Sequence, residues 1–442
     1  MPIVRPFRGI HFNPEQIGGN DFTKVVSPPY DVISPEEQKK LHERHPRNIV
    51  HIDFGIEEPG DDEACNKYTR AAAYYAQWLD DGTLVRDDKP ALYYYEQEYD
   101  IEGMGHFIRK GFLGALKLSA FGEGEVFPHE KTLSGPKLDR QALMRVTEAN
   151  MSPIFGLYSD PSDEVRAALT AGMAKDPSFS AVDDIGVKHR VWIVTDEQAI
   201  ANAAALMKSR GVFIADGHHR YETAFGFREE QRAKYGTSPD AAYEHVLMFL
   251  CNMDDKGIVI LPTHRGIHSV PGFSEEAFAA KVRALLPMET REGGPRDAIR
   301  AVEEASRNGK AIAWSAGGNR YHIISFPDVK AFADARLPNF PPELRTLDVV
   351  LLHGFLMDQL LGVSQEAVTA GQYVKYYKEP AKAEKDLASG AVQLAFFMTG
   401  VTVKEFRDVS LSGHVLPQKS TFFYPKIGTG LLIFANGNER VG

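Results

Sequence analysis

Two cysteines, Cys65 and Cys251, are all that 442 residues contain, and they stand far apart, outside any C-x-x-C spacing. That scarcity excludes a disulfide framework and a cysteine-built zinc site, and it fits a reduced cytoplasm. Basic residues are in deficit too: 50 Lys and Arg against 60 Asp and Glu leave a formal charge of -10. No overall positive field draws such a chain to nucleic acid or anionic lipid, so basic groups used for binding must be local. No stretch approaches the roughly 18 apolar residues of a membrane helix. The opening Met1-Pro-Ile-Val-Arg-Pro-Phe-Arg8 lacks the apolar core of a signal peptide. The expectation is a soluble, untargeted, cytoplasmic protein with neither nucleic-acid nor membrane partner. Three common site motifs are also missing: G-x-x-x-x-G-K-[ST], G-x-G-x-x-G and G-x-S-x-G. The zinc-protease pattern H-E-x-x-H fails because Leu133 stands where its second histidine belongs.

What is present is 43% hydrophobic sequence, enough to fill a sizeable core, patterned as a mixed α/β chain without internal repeats. Residues 25–35 form a stiff loop around Pro28-Pro29, and Ser34 with Glu37 reads as a capping box. Tyr68, Ala72, Tyr75 and Leu79 recur at helical spacing over 62–80, as do Leu138, Ala142, Val146 and Ala149 over 137–149. A long hairpin is expected from 91–99 and 107–118 around Gly103 and Gly105, and a second from 245–252 and 257–262. Between them, 190–195 reads as a strand and 197–210 as a helix. Val212-Phe-Ile-Ala215 is a buried strand that meets Asp216-Gly217, and a charged helix follows to Tyr235. Later elements are a hairpin turning at Gly317-Gly318, a helix near 346–361, a strand at 391–398 and a helix near 402–409. Three modules are expected: 1–95, 96–265 and 266–442.

The strongest constellation is Asp216-Gly217-His218-His219-Arg220. Gly217 permits close backbone approach, a helix start presents N–H groups, and a guanidinium grips phosphate oxygens through paired hydrogen bonds. The plainer alternative is that Asp216 caps the helix and the histidines pack. A second cluster is His129-Glu130, followed by Lys137 and Arg140. There Glu130 is the candidate general base, with His129 beside it, for taking a proton from a substrate hydroxyl. In a third, Leu416 to Lys426, the groups Lys419, Ser420 and Lys426 offer cations and a hydroxyl to phosphates. Tyr30-Asp31 and Thr263-His264-Arg265 lie in loops beside proline and are candidate substrate contacts, or structural groups.

Taken together, Ser27-Pro-Pro-Tyr-Asp-Val-Ile-Ser34, Pro128-His-Glu130, Ala215 to Ala224 and Pro417-Gln-Lys-Ser-Thr-Phe-Phe-Tyr-Pro-Lys426 resemble the signatures of the domain of unknown function 1015 family. The stretch 125–225 also resembles free-serine kinases of the ParB/sulfiredoxin-like superfamily. That resemblance implies a ParB/sulfiredoxin-like core with additional N- and C-terminal α/β modules. In it the Asp216–Arg220 turn would hold the phosphates of ATP or ADP with Mg2+, Asp216 contacting the metal, and Glu130 would activate a serine hydroxyl. Sulfiredoxins carry a cysteine where His218 stands, so sulfinic-acid repair is not implied. The DNA-partitioning relatives have an arginine-rich turn and a helical DNA-binding domain that this acidic chain does not display. The reading is a nucleotide-dependent kinase of a small hydroxyl-bearing metabolite, L-serine first. A phosphoserine-type phosphatase and a non-catalytic nucleotide sensor are its alternatives, and homo-oligomerisation is left open.

Overall fold

The computed structural model describes residues 1–130, 134–417 and 419–441. The chain divides into two compact units, 1–128 with 132–259 and 425–442, and 129–131 with 260–424.

In the first unit the described residues form a nine-stranded mixed sheet. Its strands are β1 (Val4–Arg5), β2 (Leu92–Ile101), β3 (Gly105–Lys117), β4 (Val126–Phe127), β5 (Ile154–Tyr158), β6 (Phe179–Val182), β7 (Lys188–Val194), β8 (Val212–Asp216) and β9 (His245–Asn252). In space they run β4-β8-β5-β9-β3-β2-β7-β6, with β1 on β3. The hairpin β2–β3 closes through Gly103 and Gly105, whose φ angles of 80° and 112° are those glycine adopts without strain. One sheet face is apolar at every second residue: Leu92 and Tyr94, Trp192 and Val194, Val212 and Ile214, Val246, Met248 and Leu250. Helices Glu164–Thr170, Glu197–Met207 and His218–Tyr235 bury their own apolar residues in this core. Each fully buried Leu, Ile or Phe contributes about 1.5–3 kcal/mol, so this layer fixes where β8 ends.

The second unit holds a six-stranded sheet of β10 (His264–Ile267), β11 (Met288–Glu292), β12 (Lys310–Ser315), β13 (Arg320–Phe326), β14 (Val374–Tyr377) and β15 (Leu394–Phe397), ordered β11-β13-β12-β15-β10-β14. Helices Pro295–Ala305 and Pro380–Ala388 pack on it through Ala298, Ala301, Val302 and Ala383. Asp348–Val350 continues into Leu351–Leu360, which winds as a π-helix, a rare wide turn that recurs at functional sites. Among the described residues, no helix is long and apolar enough to cross a membrane.

Several expectations meet this fold directly. The Ser34–Glu37 capping box is formed, the Gly317-Gly318 hairpin closes β12 onto β13, and Val403–Leu411 is a helix capped by Thr402 and Glu405. Others need correction. Residue 95 lies inside β2 and residue 265 inside β10, so the expected module limits cut continuous hydrogen-bonded strands. The run 257–262 does not return onto β9, whose neighbours are β3 and β5. Helix Lys67–Asp80 buries Ala71, Tyr75 and Trp78, because the large indole turns inward and leaves Leu79 exposed. Helix Ser134–Thr147 exposes Leu138 and Val146 and instead buries Arg140, Leu143, Met144 and Thr147. Arg140 tolerates this because Asp53 and Asp139 pair with its guanidinium.

Candidate functional site

Strand β8 is apolar and buried from Val212 to Ala215, and it delivers Asp216 to the end of the sheet. Gly217 then takes φ 93°, and a Cβ there would lie 3.0 Å from the Arg220 side chain, so glycine is required on both counts. The helix His218–Tyr235 opens on Gly217 as its N-cap, a residue without a side chain to cap it. The Asp216 carboxylate turns towards two cations. Arg220, one helical turn on, donates from Nη2 to Asp216 Oδ2 at 2.6 Å and from Nη1 to the Pro153 carbonyl at 2.5 Å. Lys426 Nζ donates to the other oxygen, Oδ1. Burial works to raise the Asp216 carboxyl, but Lys426 and Arg220 outweigh it and hold the group below the usual carboxylate range. His218, buried at the helix start, adds to that field, while His219 is half-buried.

Arg220 also acts electrostatically on Tyr30, Asp31 and Asp53. The Tyr30 ring lies under Arg140, 4.0 Å from Cζ, and burial pushes its phenol up to about 12 against the pull of Arg220 and Arg140. Asp31 is exposed. Arg140 Nη1 meets Asp53 Oδ1 at 3.0 Å, and Ser152 Oγ donates to Asp53 Oδ2 at 3.3 Å. A cavity of about 30 Å³ opens among Asp53, Arg140, Ser152, Arg220 and Thr223. Tyr30, Asp31 and the Asp216 turn are thus brought together in one unit.

The other candidates fall in the second unit, apart from Lys426, because the chain passes from one unit to the other between Tyr424 and Pro425. His129 is buried, with Nε2 2.7 Å from Thr421 Oγ1 and its ring edge-on to Phe406. Glu130 is half-buried and accepts the Lys419 N–H at 3.3 Å. Lys419 itself is exposed and left-handed, φ 57°, and the Ser420 hydroxyl donates to the Pro417 carbonyl. Arg265 donates to the carbonyls of Thr263 and Lys419 and, from Nε, to His353 Nε2 at 3.2 Å.

Thr263, His264 and Arg265 are 4%, 2% and 0% exposed, so the structure places these candidate substrate contacts in the interior, where Arg265 holds the segment that carries Lys419. Burial pushes His264 down to about 3 and Arg265 down to about 10. Both Asp216 oxygens are paired with cations, and among the described residues no three His, Cys, Asp or Glu side chains group to hold an ion. A Mg2+ brought in with nucleotide phosphates could reach Asp216 only by displacing Lys426 or Arg220 from one of its oxygens.

Residues 4–350 match the family model described as a protein of unknown function, DUF1015. The chain belongs to this family. No curated protein matches it. Among solved structures, a conserved hypothetical protein from Pyrococcus furiosus aligns at 15% identity and TM-score 0.30, covering 69% of this chain and 89% of its own. A free serine kinase in complex with AMP aligns at 12% identity and TM-score 0.31, with coverages of 72% and 87%. A C-terminally truncated SbnI from Staphylococcus aureus aligns at 10% identity and TM-score 0.35, with coverages of 73% and 87%. These likenesses are loose.

Within this DUF1015 chain, Tyr30, Glu130 and Asp216–Arg220 lie inside the matched stretch, whereas Lys419, Ser420 and Lys426 lie beyond it. Sequence reasoning overlooked Asp53, Ser152, Gln97 and Arg109. For the last two a signal existed. They stand directly opposite each other in the β2–β3 register, two polar residues on an otherwise apolar inward face.

Proposed function

We propose that this DUF1015 member is a nucleotide-dependent kinase of a small hydroxyl-bearing metabolite, with L-serine the first acceptor to test. The reading rests on the Asp216 turn, where a glycine-opened helix start and two cations, Lys426 and Arg220, converge at the end of a buried strand. Helix N-termini and paired cations favour phosphate oxygens over neutral ligands. The terminal phosphates of ATP or ADP would take up this position. The acceptor oxygen would attack the terminal phosphorus, the bond to the departing nucleotide would break, and Glu130 would take the hydroxyl proton. His129, fixed on Thr421, would orient the Glu130 segment. One observation favours a nucleotide sensor as the second reading: Arg220 already donates to Asp216 and Pro153, so a bound phosphate would rearrange the turn.

A screen of ATP and ADP consumption in magnesium buffer, against hydroxy amino acids and hydroxy acids, tests the proposal. The expected result is acceptor-dependent phosphate transfer that falls about 10²–10⁴-fold in Glu130→Gln with nucleotide affinity retained. Transfer to water alone would mark a phosphatase. Unchanged activity in Glu130→Gln would remove the base, and no nucleotide binding by the intact protein would sink kinase and sensor together.

A further inference from the structure

Lys426 reaches Asp216 from a segment that has no regular secondary structure, since Tyr424 ends one short strand and Phe434 begins the next. A lysine on such a segment keeps a fixed partner only if its backbone is held. Two buried side chains do this. Gln97 is fully buried on β2 and donates from Nε2 to the Lys426 carbonyl at 3.0 Å. Arg109 is fully buried opposite it on β3 and donates from Nη2 to the Pro425 carbonyl at 2.6 Å and from Nε to Gln97 Oε1 at 3.0 Å. The Arg109 guanidinium lies over the Phe155 ring, 4.6 Å from its centroid, and feels the Asp216 charge. Further along, Thr429 exchanges backbone hydrogen bonds with Ser27 and meets Ser152 Oγ at 2.7 Å. Burying an arginine costs several kcal/mol unless its donors are used. Here they go to the Pro425 carbonyl and to Gln97, whose own amide donates to the Lys426 carbonyl.

We infer that Arg109 and Gln97 are positioning residues for Lys426, a pair that anchors the 425–429 segment so that its ammonium is held on Asp216 at the candidate phosphate turn. Arg109 is therefore no ligand of the substrate. It acts through the Pro425 carbonyl and Gln97, and Lys426 makes the contact. As far as nucleotide is concerned, the inference rests on the proposed phosphate role of the turn.

The test compares Arg109→Met, Arg109→Lys and Gln97→Leu with Lys426→Met in the full chain. Its first arm needs no nucleotide. An ion-paired lysine ammonium gives a slowly exchanging NMR resonance, which Lys426→Met assigns by its loss. Arg109→Met and Gln97→Leu should broaden or abolish that resonance in folded protein, and Arg109→Lys should retain part of it. The second arm is calorimetry with ADP in magnesium buffer. Arg109→Met should weaken binding about tenfold or more, as expected for a lost charged hydrogen bond, and Lys426→Met should do the same. The Arg109→Met, Lys426→Met double variant should be no weaker than Lys426→Met alone, because both act through one group. An unchanged Lys426 resonance in Arg109→Met and Gln97→Leu, or losses that add in the double variant, would overturn the inference. If wild type binds no ADP, the phosphate reading fails, while the resonance still decides the positioning role. If Arg109→Met does not fold, Gln97→Leu carries the resonance test, since it leaves the arginine in place.

Discussion

The Asp216 turn and the His129-Glu130 segment are both carboxylates next to histidine, yet their surroundings are opposite. Asp216 is clamped by Lys426 and Arg220, and its charge is held there against burial. Glu130 accepts the Lys419 N–H, and Arg265, buried in the same unit, donates to the Lys419 carbonyl and to His353. The first arrangement suits a fixed charge that shapes a binding site. The second ties a carboxylate to a main-chain donor, and this is the group that the proposed transfer would use as proton acceptor.

The largest test of that contrast is stability. Asp216→Ala would leave two buried cations facing each other, at a cost of about 3–5 kcal/mol. Glu130→Gln keeps an oxygen for the Lys419 N–H and should cost less than about 1 kcal/mol. Urea midpoints of the two variants measure both, and equal losses would erase the distinction. A smaller separation appears with pH. His264 is pushed by burial from 6.5 to about 3. It contributes stability that is fully present above pH 6.5 and is lost as pH falls towards 3, about 2 kcal/mol by pH 5. Asp216 behaves differently: its depressed carboxyl contributes stability above 3.8 that is lost only as pH falls below that value. His264→Phe, facing Phe397, should flatten the stability profile between pH 6.5 and 5, whereas Asp216→Asn should leave that slope intact. His245 in the first unit is pushed by burial to about 4 and titrates in the same sense, so the comparison is made on the variants and not on the wild-type curve alone.

How far these sites were legible in the sequence follows from what each depends on. The strand, turn and helix around Asp216-Gly217 could be read, because alternation, a glycine and a helix start are local signals. The Gly317-Gly318 hairpin and the Ser34 cap were legible for the same reason. The pairing of Asp216 with Lys426 spans 210 residues and leaves no periodic trace. Helix Ser134–Thr147 was misread because hydrophobicity alone cannot foresee a buried arginine: Arg140 faces inward only because Asp53, 87 residues earlier, meets it. Arg265 misled in the opposite direction. A loop arginine beside proline looks like a ligand contact, yet carbonyls that curl around it take it into the interior.

Two backbone substitutions sharpen the comparison further. Gly217→Ala meets a left-handed backbone and the Arg220 side chain 3.0 Å away, while Gly103→Ala in the β2–β3 turn meets the same sign of φ in open space. Each pays the backbone penalty of about 1–2 kcal/mol. Any excess at Gly217 in thermal unfolding reports displacement of Arg220 from Asp216, and no excess would mean that the guanidinium yields freely.

The smallest effect lies beside Glu130. Lys419 holds φ 57°, a conformation that strains any residue with a Cβ. Lys419→Gly relieves that strain but frees the unfolded chain, so the two nearly cancel and stability should change by under about 0.5 kcal/mol. Lys419→Pro cannot reach this φ and has no N–H to give Glu130, so it should destabilise and shift any pH–rate profile governed by Glu130 upwards, because the hydrogen bond to the charged carboxylate is gone. A profile moved equally by glycine and by proline would assign the role to the Lys419 ammonium, which both variants lack. A profile moved by proline alone assigns it to the backbone N–H, and with it the view that Glu130 is tuned by main chain where Asp216 is tuned by side chains.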